Sequence, residues 1–218
     1  MWRCPICHTN DALVHERPLF RPQTLRCRAC GTRWAIRRVP GRDFRLRVVD
    51  GPAELVGLDM ALSTWYDEMK RGFKLSSIPV TDMDLLPDEQ VYLRAQEVVL
   101  VTYRSSALFN GWTGREPPRA EFPRRSQPAD WARLGTGELL LTNRRLVWEG
   151  PQGGLDFWWS SVTAVSLLLY YLLGINYGIT PYRFILGQEN GLKWLTYAGT
   201  VAQQVAAQNG HKVTLSLF

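Results

Sequence analysis

No cysteine occurs after Cys30 in this chain of 218 residues. A disulfide framework through the body of the protein is therefore excluded, and no thiol is left there for nucleophilic work. Histidine is also scarce. His8, His15 and His211 are the only three, and none has a catalytic partner nearby in sequence. There is no HExxH helix, no phosphate-cradling glycine loop and no nucleophile elbow. These absences argue against an enzyme. Residues 1–20 lack the apolar core of a secretory signal, so the expected location is cytoplasmic. Long apolar runs are missing too, with one exception. Phe157–Tyr182 carries no charged side chain over 26 residues. Its dense apolar part is only Val165 to Ile175, and serine, threonine, asparagine, glycine and proline interrupt the rest. A spanning helix needs about 20 predominantly apolar residues, so buried strands are the better expectation. A hairpin dipping into the lipid interface through Trp158, Trp159, Tyr170 and Tyr171 is the minor alternative.

Hydrophobic residues make up 45% of the chain and charged residues 21%, which is enough apolar material for a true core. The net charge of +6 is unevenly spread. Residues 1–47 hold eleven arginines against Asp11, Glu16 and Asp43, whereas the remainder holds fifteen basic and seventeen acidic residues. The positive charge thus belongs to one module, and a polyanion is its expected partner. Arginine outnumbers lysine 22 to 4 throughout, so general composition accounts for part of this bias.

All four cysteines lie in MWRCPICHTNDALVHERPLFRPQTLRCRACGTRW. Cys4 and Cys7 form one C-x₂-C knuckle, and Cys27 and Cys30 form a second. Each knuckle is a tight turn that aims two thiolates at one point. Two of them complete a tetrahedral S₄ shell for Zn²⁺. The shell is closed, so the expected zinc is structural. His8 and His15 are not needed as ligands, because four cysteines already saturate the site. Trp2, Leu25, Trp34 and Ile36 are expected to cover it. The pattern resembles the zinc-ribbon family, ending in the Cys27-Arg28-Ala29-Cys30-Gly31-Thr32-Arg33-Trp34 form of its CxxCGTxW. His8 departs from it, standing where ribbons often have glycine. Arg26, Arg28, Arg33, Arg37 and Arg38 cluster around the second knuckle. With Trp34 as a stacking platform, they are the candidate contacts for nucleic acid.

Residues 1–48 are read as this zinc module, with its last strand near Phe44–Val49. In PAELVGLDMALSTWYDEMKRG, Leu55, Leu58, Leu62, Trp65 and Met69 follow a +3/+4 spacing. That predicts an amphipathic helix from Pro52 to about Arg71. Its apolar stripe is expected to pack on a neighbouring domain or self-associate. It sits within a connecting region, 49–84, and the acidic cluster Asp82, Asp84, Asp88 and Glu89, which straddles the end of that region, is read as solvated linker.

The third region is 85–218. QVYLRAQEVVLVTYR predicts a strand, and the proline-rich stretch 105–137 a long excursion. Glu138–Leu141 and Arg145–Trp148 flank Thr142-Asn143 and predict a hairpin, with Asn143 in the left-handed conformation. Further strands are expected at Leu155–Trp159, Val162–Leu169, Tyr182–Leu186 and Leu192–Tyr197. A short helix over TVAQQVAAQNG should end at Asn209-Gly210. The segment Gly137–Leu146, GELLLTNRRL, resembles the signature hairpin of the GRAM and pleckstrin-homology-like superfamily. WSSVTAV (Trp159–Val165) and LLPDEQVYLRA (Leu85–Ala95) resemble its neighbouring strands. The resemblance implies a mainly β, α+β protein in which the ribbon and connecting helix precede a PH/GRAM-like β-barrel capped by a C-terminal helix. It further implies binding of anionic lipid headgroups or protein segments. In lipid-binding members the loop between strands one and two contacts phosphate. Here that loop carries Arg115, Arg119, Arg124 and Arg125, with Arg133 and Trp112 nearby. Arg144 and Arg145 in the hairpin read as structural. The expected function is a non-catalytic zinc-binding adaptor that recruits a protein partner, at an anionic membrane surface in a second role. The alternative is a nucleic-acid-binding protein acting through the arginine-rich ribbon.

Overall fold

The computed structural model describes residues 2–16, 22–39, 44–103, 131–151, 153–169 and 171–217. The described residues are mainly β with two α-helices, and the chain divides into two compact units, Met1–Lys74 and Leu75–Phe218.

The N-terminal unit is a five-stranded antiparallel sheet in simple sequence order. The strands are β1 (Leu13–Glu16), β2 (Thr24–Cys27), β3 (Arg33–Arg37), β4 (Arg45–Asp50) and β5 (Asp59–Ala61). Alternation sets its two faces. Leu25, Trp34, Leu46 and Val48 point inward and are buried together with Cys4 and Cys27. Helix α1 (Leu62–Lys70) adds Trp65 to this core. The Trp65 indole stands edge-on to Trp34, with centroids 6.0 Å apart. It also donates Nε1–H to the Leu46 carbonyl at 3.0 Å.

The helix is shorter than the 52–71 expected from its stripe. Gly57 takes φ +91 and breaks the chain direction. Asp59–Ala61 then pairs with Arg45–Arg47 as a fifth strand. Long-range pairing here overrides a helical apolar period. Trp65 and Met69 are covered by their own unit, at 2% and 1% exposure, and of the stripe only Leu58 is exposed. Arg3 fastens the helix end. Its guanidinium donates to the Met69 and Arg71 carbonyls at 2.9 Å each, and to the His8 carbonyl at 2.9 Å. It thus satisfies carbonyls that a helix C-terminus leaves without partners.

The C-terminal unit contains β6 (Val91–Tyr103), β7 (Trp131–Thr142), β8 (Arg145–Gly150), β9 (Gly153–Trp158), β10 (Val162–Leu168), β11 (Leu172–Tyr177), β12 (Thr180–Ile185), α2 (Gly191–Asn209) and β13 (Thr214–Leu217). The sheet order is β13-β10-β11-β12-β6-β7-β8-β9, antiparallel except for the β10–β13 pair. The barrel expectation is corrected here, because the sheet is open and β9 and β13 are its edges. It does curl. Phe157 on β9 meets Tyr177, Tyr182 and Phe184 on β11 and β12 at centroid distances of 5.8, 4.9 and 5.4 Å. Bulges in β6, one of them around Glu97 at φ +57, bend the sheet.

Three local expectations change. Residues 131–137 belong to β7, not to the excursion. Leu192–Tyr197 is not a strand but the first half of α2, whose N-cap Asn190 accepts the Lys193 N–H at 3.3 Å. Gly210, at φ +70, ends that helix as expected. The uncharged stretch Phe157–Tyr182 resolves into the end of β9, a 3₁₀ turn at Trp159–Ser161, β10, β11 and the start of β12. Trp159, Val165, Leu167, Ile175 and Tyr182 are among its buried residues. No helix among the described residues is long and apolar enough to cross a membrane. Trp159, fully buried, is removed from any surface role.

Candidate metal centre

The two knuckles come from the segment before β1 and from the turn between β2 and β3, and they repeat one design. In the first, Cys4 N–H donates to Thr9 O and His8 N–H to Cys4 O. In the second, Cys27 N–H donates to Thr32 O and Gly31 N–H to Cys27 O. Ile6 and Cys7 N–H groups point at Cys4 Sγ (3.4 and 3.5 Å), and Cys30 N–H points at Cys27 Sγ (3.4 Å). Cys7 Sγ lies 3.2 Å from the Thr9 hydroxyl, and Cys30 Sγ 3.2 Å from the Thr32 hydroxyl. Each knuckle is thus C-x-x-C-x-T, a threonine signal that the cysteine spacing alone does not reveal.

The four sulfurs lie within 4.8 Å of one another. Cys4–Cys30 and Cys7–Cys27 are 3.8 and 3.7 Å apart, and no disulfide joins them. A metal bound at roughly 2.3 Å to four tetrahedral sulfurs requires S···S edges of about 3.8 Å. The donor set fits a tetrathiolate metal ion. Charge points the same way. Burial pushes the Cys4 and Cys27 thiols above their ordinary values. Cys7 is also opposed by burial, but hydrogen bonds from the hydroxyl and backbone of Thr9 outweigh it and bring the thiol down to about 6. A cation bound at the centre would offset the burial that favours the protonated thiols of Cys4 and Cys27. His8 is exposed and outside the set, and exposed His15 is 3.1 Å from the Gln23 side chain instead.

His8 and Gly31 occupy equivalent positions, at φ +55 and +77. A side chain in this left-handed region costs about 1 kcal/mol or more. His8→Gly should therefore stabilise the N-terminal unit by about 0.5–1 kcal/mol, the glycine's own chain entropy taking back part of the gain. Gly31→Ala should destabilise it by about 1 kcal/mol. Urea unfolding followed by tryptophan fluorescence checks both.

The arginines are only partly brought together. Arg26, Arg33 and Arg37 share the outer face of the sheet with Arg45 and Arg47, which the sequence reading missed. The signal was their alternation with Leu46 and Val48. Arg26 and Arg33 reach Glu16 (3.0 and 4.0 Å), and Arg37 and Arg45 reach Asp59 (3.4 and 2.9 Å). Arg28 is in the knuckle turn and Arg38 beyond β3, both exposed. Trp34 is fully buried, so it cannot stack on a base. Arg115, Arg119, Arg124 and Arg125, with Trp112, lie outside the described residues.

In the C-terminal unit, Asp82 and Glu89 of the acidic cluster are bound to arginines of the sheet rather than left free in a linker, whereas Asp84 and Asp88 are exposed as expected. Arg94 holds Asp82 through two bonds of 2.8 and 2.7 Å, and also Glu138 at 2.5 and 2.9 Å. Arg145, buried, makes two 3.0 Å bonds to Glu89 and one of 2.9 Å to Asp156. The Thr142 hydroxyl donates to Glu89 at 2.7 Å and accepts the Arg144 and Arg145 N–H groups. Asn143 is not left-handed. Its side chain accepts the Gln90 N–H at 2.8 Å and donates to the Asp88 carbonyl at 3.1 Å. The Thr-Asn-Arg-Arg stretch is therefore a structural lock, with only Arg144 exposed.

No protein-family model matches the chain, and no curated protein matches it.

Proposed function

We propose that this protein is a non-catalytic zinc-binding adaptor that recruits a protein partner, with an anionic membrane as a second contact surface. The carrying observation is the four-thiolate shell of Cys4, Cys7, Cys27 and Cys30, whose 3.7 and 3.8 Å edges suit zinc and leave no ligand position for a substrate. Its role is to hold a sheet whose outer face displays arginines. The succession of knuckle, hairpin, knuckle and hairpin supports a zinc ribbon. In the C-terminal unit, seven antiparallel strands run in the order β10-β11-β12-β6-β7-β8-β9, followed by α2. That order supports a PH/GRAM-like module, and fold alone does not choose its ligand. The proposed location is cytoplasmic and peripheral to the inner membrane face.

One observation favours a second reading. Five arginines side by side on the N-terminal sheet could neutralise phosphates of a nucleic acid. The experiment that separates the readings is flotation of the intact protein with neutral and anionic vesicles at low and moderate salt, with duplex DNA as competitor. Binding to anionic vesicles that resists DNA supports the membrane contact. Binding lost to DNA and to salt favours nucleic acid. Failure to float under every condition removes lipid and leaves protein recruitment.

A further inference from the structure

We infer that the outer face of the N-terminal sheet carries a docking groove for an acidic peptide segment that also bears apolar side chains. The inference rests on the recruitment reading above and adds the partner's chemistry and its site.

The groove is about 530 Å³ and is lined by Pro22, Ala35, Arg37, Arg47, Val49 and Val56 among others. Its floor is apolar and open. Val49 is 45% and Val56 51% exposed. Its rim is cationic. Arg47 lies directly across from Ala35 in the β3–β4 register. Asp59, the carboxylate opposite Arg47 on β5, is already engaged by Arg45 at 2.9 Å and Arg37 at 3.4 Å. Arg47 itself pairs with no acid among the described residues, and no carboxylate lines the groove.

Charge complementarity therefore asks for an acidic partner, and the floor asks for small or branched apolar side chains between the acids. Nucleic acid matches only the rim. Among the described residues no aromatic side chain lines the groove to stack on a base, and two valines would be covered by phosphates that cannot use them. A flat headgroup layer would meet the arginines and leave the concave floor unfilled. The partner does not join as a strand, because the Val48 N–H and carbonyl are already bonded to Leu58 and Gly57. Recognition is through side chains, with arginine forks on carboxylates.

The test uses the intact, metal-loaded protein and fluorescence anisotropy. The probes are a labelled ten-residue peptide alternating glutamate with valine, the same peptide with glutamine for glutamate, and a labelled single-stranded DNA of equal length. The glutamate peptide should bind, and the glutamine peptide at least tenfold more weakly. Arg47→Glu and Val56→Asp change exposed side chains, and each should weaken binding tenfold or more, about 1.4 kcal/mol. Arg144→Glu, exposed in the other unit, should leave it unchanged. Metal content and unfolding midpoint confirm that each variant is folded, and Val49→Asp replaces any that is not. If the peptide binds equally to wild type and groove variants, the groove is overturned while recruitment survives. If only DNA binds, or if no peptide binds at any salt concentration, the acidic-partner assignment fails. A DNA-only result also removes the recruitment reading.

Discussion

Cys27→Ser should remove the bound metal and unfold the N-terminal sheet while the C-terminal unit stays native. Cys27 is 1% exposed and ends β2, so its sulfur is part of the core as well as a proposed metal ligand. Structural zinc contributes about 10–16 kcal/mol of apparent binding free energy in small domains, and that energy is folding energy. The apolar cluster here is small, centred on Trp34, Leu46, Val48 and Trp65, and cannot replace it. Elemental analysis should fall from one metal ion per chain, zinc on the proposed reading, to none. The near-ultraviolet circular dichroism of the Trp34–Trp65 pair should collapse, and amide protection should vanish before Lys74 and persist beyond Leu75. A chelator should act as the mutation does. Acid should do the same, because each ligand must be deprotonated and protons compete with the metal as pH falls. A sheet that keeps its protection with no metal bound would sink the structural-metal proposal.

Arg145→Met is the second large effect. Arg145 is 7% exposed and neutralises two buried carboxylates, Glu89 at 8% and Asp156 at 5%. Burial by itself would raise the Glu89 pKa, but the bonds from Arg145, the Leu86 N–H and Thr142 outweigh it and hold the carboxyl below its usual range. Removing one partner of a buried pair typically costs about 3–5 kcal/mol, because the other charge is left uncompensated. The pH dependence follows from the sign of the shift. In the wild type the folded pKa is depressed, so its stabilisation is present above the unfolded carboxyl pKa and is lost as pH falls through the folded one. In the variant, burial wins and the folded pKa rises, so protonation relieves the cost. The gap between variant and wild type should therefore be largest near pH 7 and should narrow below about pH 5. Urea unfolding of the C-terminal unit at the two pH values measures it. A gap that is constant with pH would mean the loss is packing, not charge.

Both effects arise from residues whose roles were unevenly visible in the sequence. The candidate metal site was legible because a C-x₂-C knuckle is a local turn, whose geometry depends on four neighbouring residues. The strands flanking Thr142-Asn143 were legible from their alternation, but the Asn143 conformation was not, because its side chain is held by Gln90 and Asp88, 53 and 55 positions away; Gly31 and His8 belong to the knuckles' own local geometry. The end of α2 at Asn209-Gly210 is equally local. Arg145 could be read only as structural. Its partner Glu89 lies 56 positions away, and nothing in the linear pattern distinguishes an acid in a clamp from an acid in a linker.

Periodicity failed where a segment had two compatible partners. Leu55 to Met69 carries a helical stripe, yet its first half was captured by β4 and its second half by the Trp34 core. Leu192–Tyr197 is apolar enough for a strand, but the Asn190 cap and the continuous buried face through Ala206 make it a helix. Arg45 and Arg47 became part of one basic face only when β3, β4 and β5 aligned. The sequence by itself determined the pairing of the four cysteines into two knuckles, the strand-rich character and the concentration of positive charge in one unit, because turn chemistry, alternation and composition are local. Only the tertiary structure decided that the curled sheet stays open, that Trp34 is core and that Arg145 is a lock, because pairing register and burial depend on contacts between residues far apart in the chain.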